Sequence, residues 1–555
     1  MKKIFLFVIH FSLFTFHFSS AQTTNFHKYW IRFTDKNNNQ CSLSTPQQYL
    51  SQRAIDRRSK QYIDIDSLDL PVTLAYIDSI KSTGVTVLYS SKWLNSITIF
   101  TMDSLALLHI NTFPFVQSVK PIGKKVESQI HTDNSTFNAE DLKTECTVTP
   151  DNYYGFAFDQ INQVRGNSLH EKGFKGEGMV IAYLDAGFRN ADILPAFDLL
   201  RSRNGILATH DFNTGDDSVY EDNSHGEMCL SIVAGNMPGY YVGTAPNADF
   251  VLLRTEYADT EYPIEEINWA AGAEYADSIG ADVITSSLGY SVFDDTIFNH
   301  IFEDMDGVTN PSSIAAHIAS TRGMIVCNSA GNSGADTTWR FITAPSDADG
   351  ILTVGAIDSA NQYSPFSGHG PTFDGRIKPD VVGRGTQTWV INAYLGGTME
   401  GNGTSFSCPL IAGVTACLWQ AHPDKANWQI MNAIRKSASK YLTPDNDIGY
   451  GIPNFAYADL LLSDFNEQSL ISADSIVVYP TIFSNEIKIN FKTREQQEIS
   501  VQLIDMSGRT MEEQCATVYI GFNELNFHPA NISSGVFMLK IMAGGKVHYE
   551  KVIKI

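Results

Sequence analysis

The chain is poor in positive charge, because 39 lysines and arginines stand against 61 aspartates and glutamates in 555 residues, a formal net charge of −22. Proteins that bind nucleic acid neutralise phosphates with clustered lysine and arginine side chains. The composition therefore excludes nucleic acid as an expected partner. It is compatible with an exported protein that works in water.

Cysteine is also scarce, with seven residues in the whole chain. Small secreted domains that depend on disulfides carry a far higher proportion, so the sequence does not predict a disulfide scaffold. Cys229, Cys327 and Cys408 lie within small or apolar segments. Cysteine commonly serves there as a small buried hydrophobic residue, and we expect these three to be free thiols.

Long apolar runs are missing after the first twenty residues or so. A membrane-spanning helix needs about 20 apolar residues, so no such helix is expected in the mature protein. The apolar stretch at residues 4–18 is short for a span and is interrupted by His10 and His17. It follows two lysines and precedes the small residues at positions 19–21. This pattern predicts a secretory signal peptide over residues 1–21.

A chain of 555 residues is expected to contain several domains, since single hydrophobic cores stop growing near 250–300 residues. Residues 22–122 alternate between strand and helix patterns and predict a small α/β ferredoxin-like unit. Its first helix is predicted over residues 45–58, with Arg53, Arg57 and Arg58 on the polar face. Residues 123–150 are polar and lack periodicity, which suits a linker open to proteases.

Two apolar runs in the next region, residues 151–463, end in polar groups. Residues 178–187 lead to Asp185, and residues 324–332 lead to Asn332. Continuous apolar runs are typical of parallel strands buried on both faces, and polar function gathers at the carboxyl ends of such strands. An aspartate there could also cap the following helix, and the Gly-Asn-Ser-Gly stretch at 331–334 could be an ordinary turn.

Two further segments offer a histidine and a serine. His225 is followed by glycine and a small-residue helix pattern. Residues 403–409, with the sequence GTSFSCP, predict a helix that begins near Ser405 and has Pro409 just inside its start. The apolar residues 410–419 could alternatively form only a buried core helix. The order Asp, His, Ser along the chain is that of the subtilisin triad.

These segments resemble the signatures of the subtilisin-like serine peptidases, from about Tyr154 to about Leu461. The resemblance implies a doubly wound parallel sheet with Ser405 as nucleophile, His225 as its base and Asp185 as the residue that orients the histidine. It assigns Asn332 to the oxyanion, and Ser287, Leu288 and Gly289 to a strand edge that pairs with an extended polypeptide substrate. No cofactor is required, and no residue is assigned as a metal ligand.

The sequence departs from the family after the histidine, where Glu227, Met228 and Cys229 stand in place of the usual Thr, His and Val. These differences concern the shape of the pocket and any metal site, and they remove no catalytic group. Family members often bind calcium through loop carboxylates, so calcium is possible here. Candidate ligands are Asp216, Asp217, Asp294, Asp295, Glu303, Asp304 and Asp306, although these charged loops could be simply solvated.

The two ends of the chain carry their own resemblances. Residues 22–122 look like the inhibitory propeptide that precedes a subtilisin-like domain. Residues 464–555 show short strands at roughly ten-residue spacing, which predicts a small β-sandwich. The Tyr479-Pro480 pair, the turn at 505–508, the Ser534-Gly535 pair and the lysine-flanked last strand are similar to the C-terminal sorting domain of type IX secretion cargo. A generic β accessory or binding module is the alternative.

The sequence therefore predicts a secreted or cell-surface serine endopeptidase. Its expected partners are polypeptide substrates, its own propeptide and, through the C-terminal domain, the secretion machinery. The alternative from another class is a catalytically inactive adhesin or surface-binding protein on the same fold.

Overall fold

The computed structural model describes residues 26–124, 153–463 and 476–554, with short breaks in the last range at 480, 484, 494–496, 506, 519–520, 530–531 and 544–545. The predicted signal peptide and nearly all of the predicted linker lie outside the described residues. We refer to the three ranges as the N-terminal, central and C-terminal units.

The N-terminal unit has the β-α-β-β-α-β order of a ferredoxin-like fold, as the sequence predicts, and contains one further helix that the sequence does not predict. Its four strands form an antiparallel sheet in the order β2-β3-β1-β4. Apolar side chains that include Ile31, Ile97, Ile99 and Ile110 form its core. The elements are β1 (Lys28–Phe33), α1 (Gln52–Lys60), α2 (Leu74–Lys81), β2 (Thr86–Ser91), β3 (Ser96–Phe100), α3 (Ser104–Ile110) and β4 (Val116–Gly123).

The first helix differs from its prediction in two respects. It begins at Gln52 because the hydroxyl of Ser51 accepts a hydrogen bond from Ala54 N, a typical N-cap. Arg57 and Arg58 are buried instead of lying on a face open to water. The reason is that α1 packs against the central unit, so its charged face is an interface.

The central unit is built around a seven-stranded sheet in which every described strand pair is parallel. Its elements are α4 (Phe158–Gln163), α5 (Asn167–Glu171), β5 (Val180–Asp185), α6 (Asp198–Ser202), β6 (Ile206–Asp211), α7 (His225–Ala234), β7 (Asn236–Met237), β8 (Tyr241–Val242), β9 (Asp249–Arg254), α8 (Ile264–Ile279), β10 (Val283–Ser286), α9 (Pro311–Thr321), β11 (Ile325–Ser329), β12 (Leu352–Ile357), β13 (Val381–Arg384), β14 (Thr388–Ile391), β15 (Thr398–Gly401), α10 (Thr404–Ala421), α11 (Asn427–Ser437) and α12 (Phe455–Leu462).

The sheet has helices on both faces, in the strand order β13-β12-β11-β10-β5-β9-β6. Side chains of β5 alternate between two cores: Ile181 and Tyr183 pack with α7 and α10, whereas Ala182 and Leu184 pack with α8 and α9. Burial on both faces explains why this strand is apolar throughout. The doubly wound subtilisin-like arrangement predicted from the sequence is confirmed.

The C-terminal unit is the predicted β-sandwich. Ile487 and Ile489 from one sheet share a core with Val501 and Leu539 from the other. The sheets have the orders β16-β18-β21 and β17-β23-β22-β19-β20. The strands are β16 (Ile476–Tyr479), β17 (Ile482–Phe483), β18 (Ile487–Thr493), β19 (Gln497–Asp505), β20 (Thr510–Val518), β21 (Gly521–Phe527), β22 (Gly535–Ala543) and β23 (Lys546–Lys554).

Within the described ranges, no helix is both long enough and apolar enough to cross a membrane.

A buried ion cluster joins the N-terminal unit to the central unit. The carboxylate of Asp277 on α8 accepts hydrogen bonds from Arg57 Nη2 at 2.5 Å, Arg58 Nη2 at 2.9 Å and Lys92 Nζ at 3.1 Å. Burial alone would raise the pKa of Asp277, but the three cations hold it well below its usual range. Glu274, one helical turn earlier, accepts from the backbone N–H groups of Lys92 at 2.7 Å and Trp93 at 3.1 Å.

We predict that Asp277→Ala loosens the contact between the two units. The change leaves buried cations without their counter-charge, which costs about 3–5 kcal/mol. Hydrogen exchange of the α1 amides measures the loosened contact as a lower free energy of opening. The experiment uses a Ser405→Ala background, because the expected nucleophile is then absent and the chain is not cut. Asp56→Ala, which removes an exposed carboxylate from α1 itself, is the control and should change it by no more than about 0.5 kcal/mol. Equal protection of α1 in both variants would contradict the role given to the cluster.

Candidate active site

The polar residues singled out from the sequence meet at one edge of the parallel sheet. Asp185 ends β5, Ser287 follows β10 and Asn332 follows β11. The carboxyl ends of parallel strands share an edge, which explains the meeting of residues so distant in sequence. His225 and Ser405 come to the same edge from the first turns of α7 and α10.

These residues surround one cavity of about 450 Å³. All of the predicted site residues line it except Asp185, which lies behind the histidine: the lining includes His225, Ser287, Leu288, Gly289, Asn332 and Ser405. The structure therefore brings the predicted residues together.

Asp185 and His225 are directly bonded, with 2.7 Å between His225 Nδ1 and Asp185 Oδ1. Asp185 is fully buried, and its Oδ1 also accepts from Ala186 N at 2.8 Å. Its Oδ2 has no hydrogen-bond partner among the residues described. Gly226 makes the close approach possible, because a Cβ there would lie 2.9 Å from Asp185 Cβ and 2.5 Å from the carbonyl oxygen of Gly187.

The environment of His225 favours its protonated form. Burial of the ring opposes protonation, but the Asp185 carboxylate and the nearby Cys229 outweigh it and raise the pKa of His225 well above its usual value. The imidazole keeps 30% of its surface exposed, so it remains accessible from the cavity. This ring can accept a proton at Nε2 while Asp185 holds Nδ1.

The backbone around Ser405 is shaped by Pro409. The helix α10 begins at Thr404, so Pro409 lies inside it, beyond the first turn where the sequence analysis expected it. Proline has no N–H, and the carbonyl of Ser405 therefore loses its donor four residues on. That carbonyl instead accepts from Ser287 Oγ at 2.9 Å and from Cys229 Sγ at 3.3 Å. Ser405 is thereby tied to both β10 and α7.

Asn332 is oriented by the start of α10. Its Oδ1 accepts from Thr404 N at 2.8 Å and from Thr404 Oγ1 at 2.9 Å. The other end of the amide, the Nδ2 group, lies near Gly403, two residues before Ser405. A Cβ at Gly403 would lie 3.7 Å from both Asn332 Nδ2 and Ser405 Cβ, which shows how near the two groups are.

The predicted substrate edge at Ser287, Leu288 and Gly289 lies just beyond the end of β10 and forms one wall of the cavity. The carbonyl of Leu288 accepts from Asn328 Nδ2 at 3.0 Å, which fixes this segment against β11. A side chain could not replace the hydrogen of Gly289, because a Cβ would come within 2.0 Å of Thr343 Oγ1.

The thiols and calcium candidates are also placed. Cys229, Cys327 and Cys408 are free and buried, as predicted.

Among the described residues, none of the suggested calcium ligands belongs to a group of three acidic or metal-binding side chains with ligand atoms within 4.8 Å of one another. Asp295 and Asp306 instead bind nearby backbone N–H groups in their own turns.

Two acidic features are not predicted by the sequence: the burial of Glu227 and a cluster of three glutamates. Glu227 is fully buried without a hydrogen-bond partner among the described residues, and burial raises its pKa well above the usual value. Glu256, Glu261 and Glu265, which we name the acidic cluster, bring carboxylate oxygens within 4.8 Å of one another beside the cavity. The only available signal was a run of four glutamates within eleven residues after β9, which resembles an ordinary acidic helix start.

Comparison with known proteins finds three family models along the chain. Residues 176–451 match the Subtilase family, residues 28–138 match the Peptidase S8 propeptide domain of Bacteroidota, and residues 477–555 match the Secretion system C-terminal sorting domain. The first match contains β5, α7, β11 and α10, and so contains every residue discussed above at the sheet edge.

Individual relatives cover the same part. Serine protease AprX of Bacillus subtilis (strain 168) is 29% identical over 304 residues, which are 50% of this chain and 64% of AprX. Alkaline elastase YaB of Bacillus sp. (strain YaB) is 30% identical over 296 residues, which are 53% of this chain and 68% of that protein. The crystal structure of MycP1 from Mycobacterium smegmatis aligns with a TM-score of 0.43 and 23% identity, over 56% of this chain and 87% of that chain.

We predict that Asp185→Asn lowers the pKa of His225 by about one to three pH units, because the substitution removes the negative charge that favours the imidazolium. NMR titration of the imidazole signals in a Ser405→Ala background measures the pKa. Asp217→Asn is the matched control, since Asp217 pairs with a different histidine, His210, at 2.9 Å. If the pKa of His225 is the same in the Asp185→Asn and Asp217→Asn proteins, the charge of Asp185 does not stabilise the imidazolium, and the prediction is wrong.

Proposed function

This chain belongs to the subtilase family of serine endopeptidases, and we propose that it hydrolyses peptide bonds through Asp185, His225 and Ser405. The observation that carries the proposal is the 2.7 Å hydrogen bond between His225 Nδ1 and Asp185 Oδ1, at a cavity that His225 shares with Ser405 and Asn332. Its C-terminal sorting domain indicates that the protein is secreted or attached to the cell surface.

The reaction begins when Ser405 Oγ attacks the carbonyl carbon of the peptide bond and His225 Nε2 takes the hydroxyl proton. Asp185 holds Nδ1–H and stabilises the imidazolium that forms. His225 then gives its proton to the leaving amine nitrogen, the C–N bond breaks, and Ser405 carries an acyl ester. A water molecule, deprotonated by His225, attacks the ester carbonyl carbon. The bond from that carbon to Ser405 Oγ breaks, His225 returns its proton to Oγ, and the acid is released.

Negative charge develops on the carbonyl oxygen during each attack, and preorganised donors lower its energy. We assign this role to Asn332 Nδ2 and to the backbone N–H of Ser405. The position of Asn332 supports the assignment, because both hydrogen bonds at its Oδ1 come from Thr404, the residue before Ser405. The amide is therefore held in place before substrate arrives.

The substrate is proposed to be a polypeptide in extended conformation, paired with the backbone of Ser287, Leu288 and Gly289. A catalytically inactive adhesin on this fold is disfavoured, because such a protein would have no need to keep the serine, histidine, aspartate and asparagine together. No step of the mechanism requires a cofactor, and we route none through calcium.

The N-terminal unit is proposed to act as the propeptide of the central unit and to be cut away within residues 123–150. The buried contacts of Asp277 with Arg57, Arg58 and Lys92 support a specific docked state. The propeptide family match at residues 28–138 agrees with this role.

We predict that Ser405→Ala abolishes peptide hydrolysis and leaves the chain uncut between residues 123 and 150. Asn332→Ala should lower turnover on the order of 100- to 1,000-fold, the loss found when an oxyanion-hole amide is removed from subtilisin. Cleavage of a casein or peptide substrate by purified protein is the measurement, with N-terminal sequencing for maturation.

The control is Ser407→Ala, which removes a hydroxyl two residues further along the same helix and should retain substantial activity. Unimpaired hydrolysis by Ser405→Ala, in a preparation free of other proteases, would refute the assignment of the nucleophile.

We predict that truncation after about Asp464 gives an active peptidase that no longer crosses the outer membrane of its host. The residues assigned to catalysis all precede this point, whereas the sorting-domain match begins at residue 477. The distribution of activity between periplasm and medium or cell surface, for full-length and truncated chains, is the measurement. Normal export of the truncated chain would mean that the C-terminal unit is an accessory or binding module. Loss of folding would mean that the boundary is misplaced.

A further inference from the structure

The cavity beside Ser405 has a strongly acidic wall. Glu256 and Glu261 line it together with His225 and Ser405, and none of its described lining residues is a lysine or arginine. The carboxylate of Glu265 behind them has a structural task, because it accepts from the backbone N–H groups of Tyr257 at 3.0 Å and Tyr262 at 2.9 Å. It therefore fixes the loop 257–262, whereas Glu256 and Glu261 line the cavity, where Glu256 Oε1 also accepts from the hydroxyl of Tyr290.

The N-terminal unit already places ammonium groups on this loop. Lys28 Nζ donates to Tyr257 OH at 2.8 Å and lies 4.4 Å from the centre of the Tyr257 ring. Lys28 is buried, and burial lowers its pKa to about 8 although Glu265 acts in the opposite direction. Lys124 Nζ lies 5.6 Å from the Tyr262 ring and 3.7 Å from Asp295 Oδ2. The loop thus accepts cationic side chains from a polypeptide.

Among the residues that the structure describes, no lysine or arginine lines the cavity beside the acidic cluster. Burial and the proximity of Glu261 raise the pKa of Glu256 well above its usual value. Burial, Asp294 and Glu266 raise the pKa of Glu261 to about 7. A cation that enters the cavity would favour the ionised carboxylates and release protons from them, since an opposite charge lowers a carboxyl pKa.

From the acidic lining and the lysines that contact the adjoining loop, we propose that Glu256 and Glu261 select substrates with a lysine or arginine side chain close to the bond that is cut. This inference rests on the proposed peptidase function and names its substrate class. A lysine or arginine in the cavity would form charge-assisted hydrogen bonds with these carboxylates, which are stronger than those of a neutral side chain. Release of the N-terminal unit would free the loop contacts that Lys28 and Lys124 occupy.

A peptide series tests the inference on active enzyme prepared from the full chain, with active sites counted by a fluorophosphonate. One lysine is moved through the positions on both sides of the cleaved bond in an otherwise neutral peptide, and glutamine at the same position is the reference. At one or more positions lysine should raise kcat/KM about 10- to 100-fold over glutamine, as expected for hydrogen bonds to a charged group.

Glu261→Gln should bring that lysine-to-glutamine ratio close to one. Glu256→Gln should do the same and serves as the second variant if Glu261→Gln folds poorly. Glu400→Gln, which removes an exposed carboxylate outside the cavity, is the matched control and should keep the ratio.

The preference should weaken as the pH falls below 7, because protonation removes the charge of Glu261. The other charged or titratable groups that face the two glutamates among the described residues are Asp185, His225, Tyr257, Glu265, Glu266, Tyr290 and Asp294. The ratio of kcat/KM for the lysine and glutamine peptides is taken at each pH. Protonation of His225 slows the cleavage of both peptides equally, so its effect cancels in this ratio.

The outcomes separate the two proposals. Cleavage with no position at which lysine is preferred, or an equal loss on every peptide in Glu261→Gln, would overturn this inference alone. An enzyme that neither cleaves any peptide nor takes the fluorophosphonate would overturn the proposed function and this inference with it.

Discussion

The carbonyl group of Ser405 is the point on which the site depends. Pro409 cannot donate to it, so the first turn of α10 lacks one backbone hydrogen bond that an ordinary helix would have. Ser287 Oγ and Cys229 Sγ supply the missing donors at 2.9 and 3.3 Å. These two hydrogen bonds join Ser405 to Ser287, just beyond β10, and to α7, the helix that begins with His225. His225 is in turn hydrogen-bonded to Asp185 at the end of β5.

Electrostatic complementarity unites the N-terminal and central units. The central unit presents buried or half-buried carboxylates, and the N-terminal unit supplies the cations: three surround Asp277, and Lys28 lies near Glu265. Removing the N-terminal unit would leave the acidic groups exposed to solvent and to other cationic ligands. Composition alone showed only an excess of acidic residues. The structure shows that some of them, such as Asp277, bind the cations of the N-terminal unit.

The sequence predicted the parts of the site that lie at regular places in the fold. Asp185 and Asn332 come at the ends of apolar runs that are typical of buried parallel strands, His225 and Ser405 precede small-residue helices, and Ser287 was assigned by the family resemblance. It did not predict the acidic cluster, because Glu256 and Glu261 belong to a loop whose path no periodicity describes. It placed Arg57 and Arg58 on the polar face of α1 but did not predict that this face is buried, since an amphipathic pattern cannot tell water from a charged partner surface. Pro409 was expected within the first turn, and only the observed start of α10 at Thr404 showed which carbonyl it releases.

The proposed function requires that His225, held in place by Asp185, activates Ser405. The most direct measurement is mass spectrometry of the purified protein after reaction with a fluorophosphonate, which identifies the modified residue and the rate of modification. We expect a single adduct, on Ser405, that forms far more slowly when His225 is replaced by alanine. An adduct elsewhere, or an equal rate in the His225→Ala protein, would contradict it.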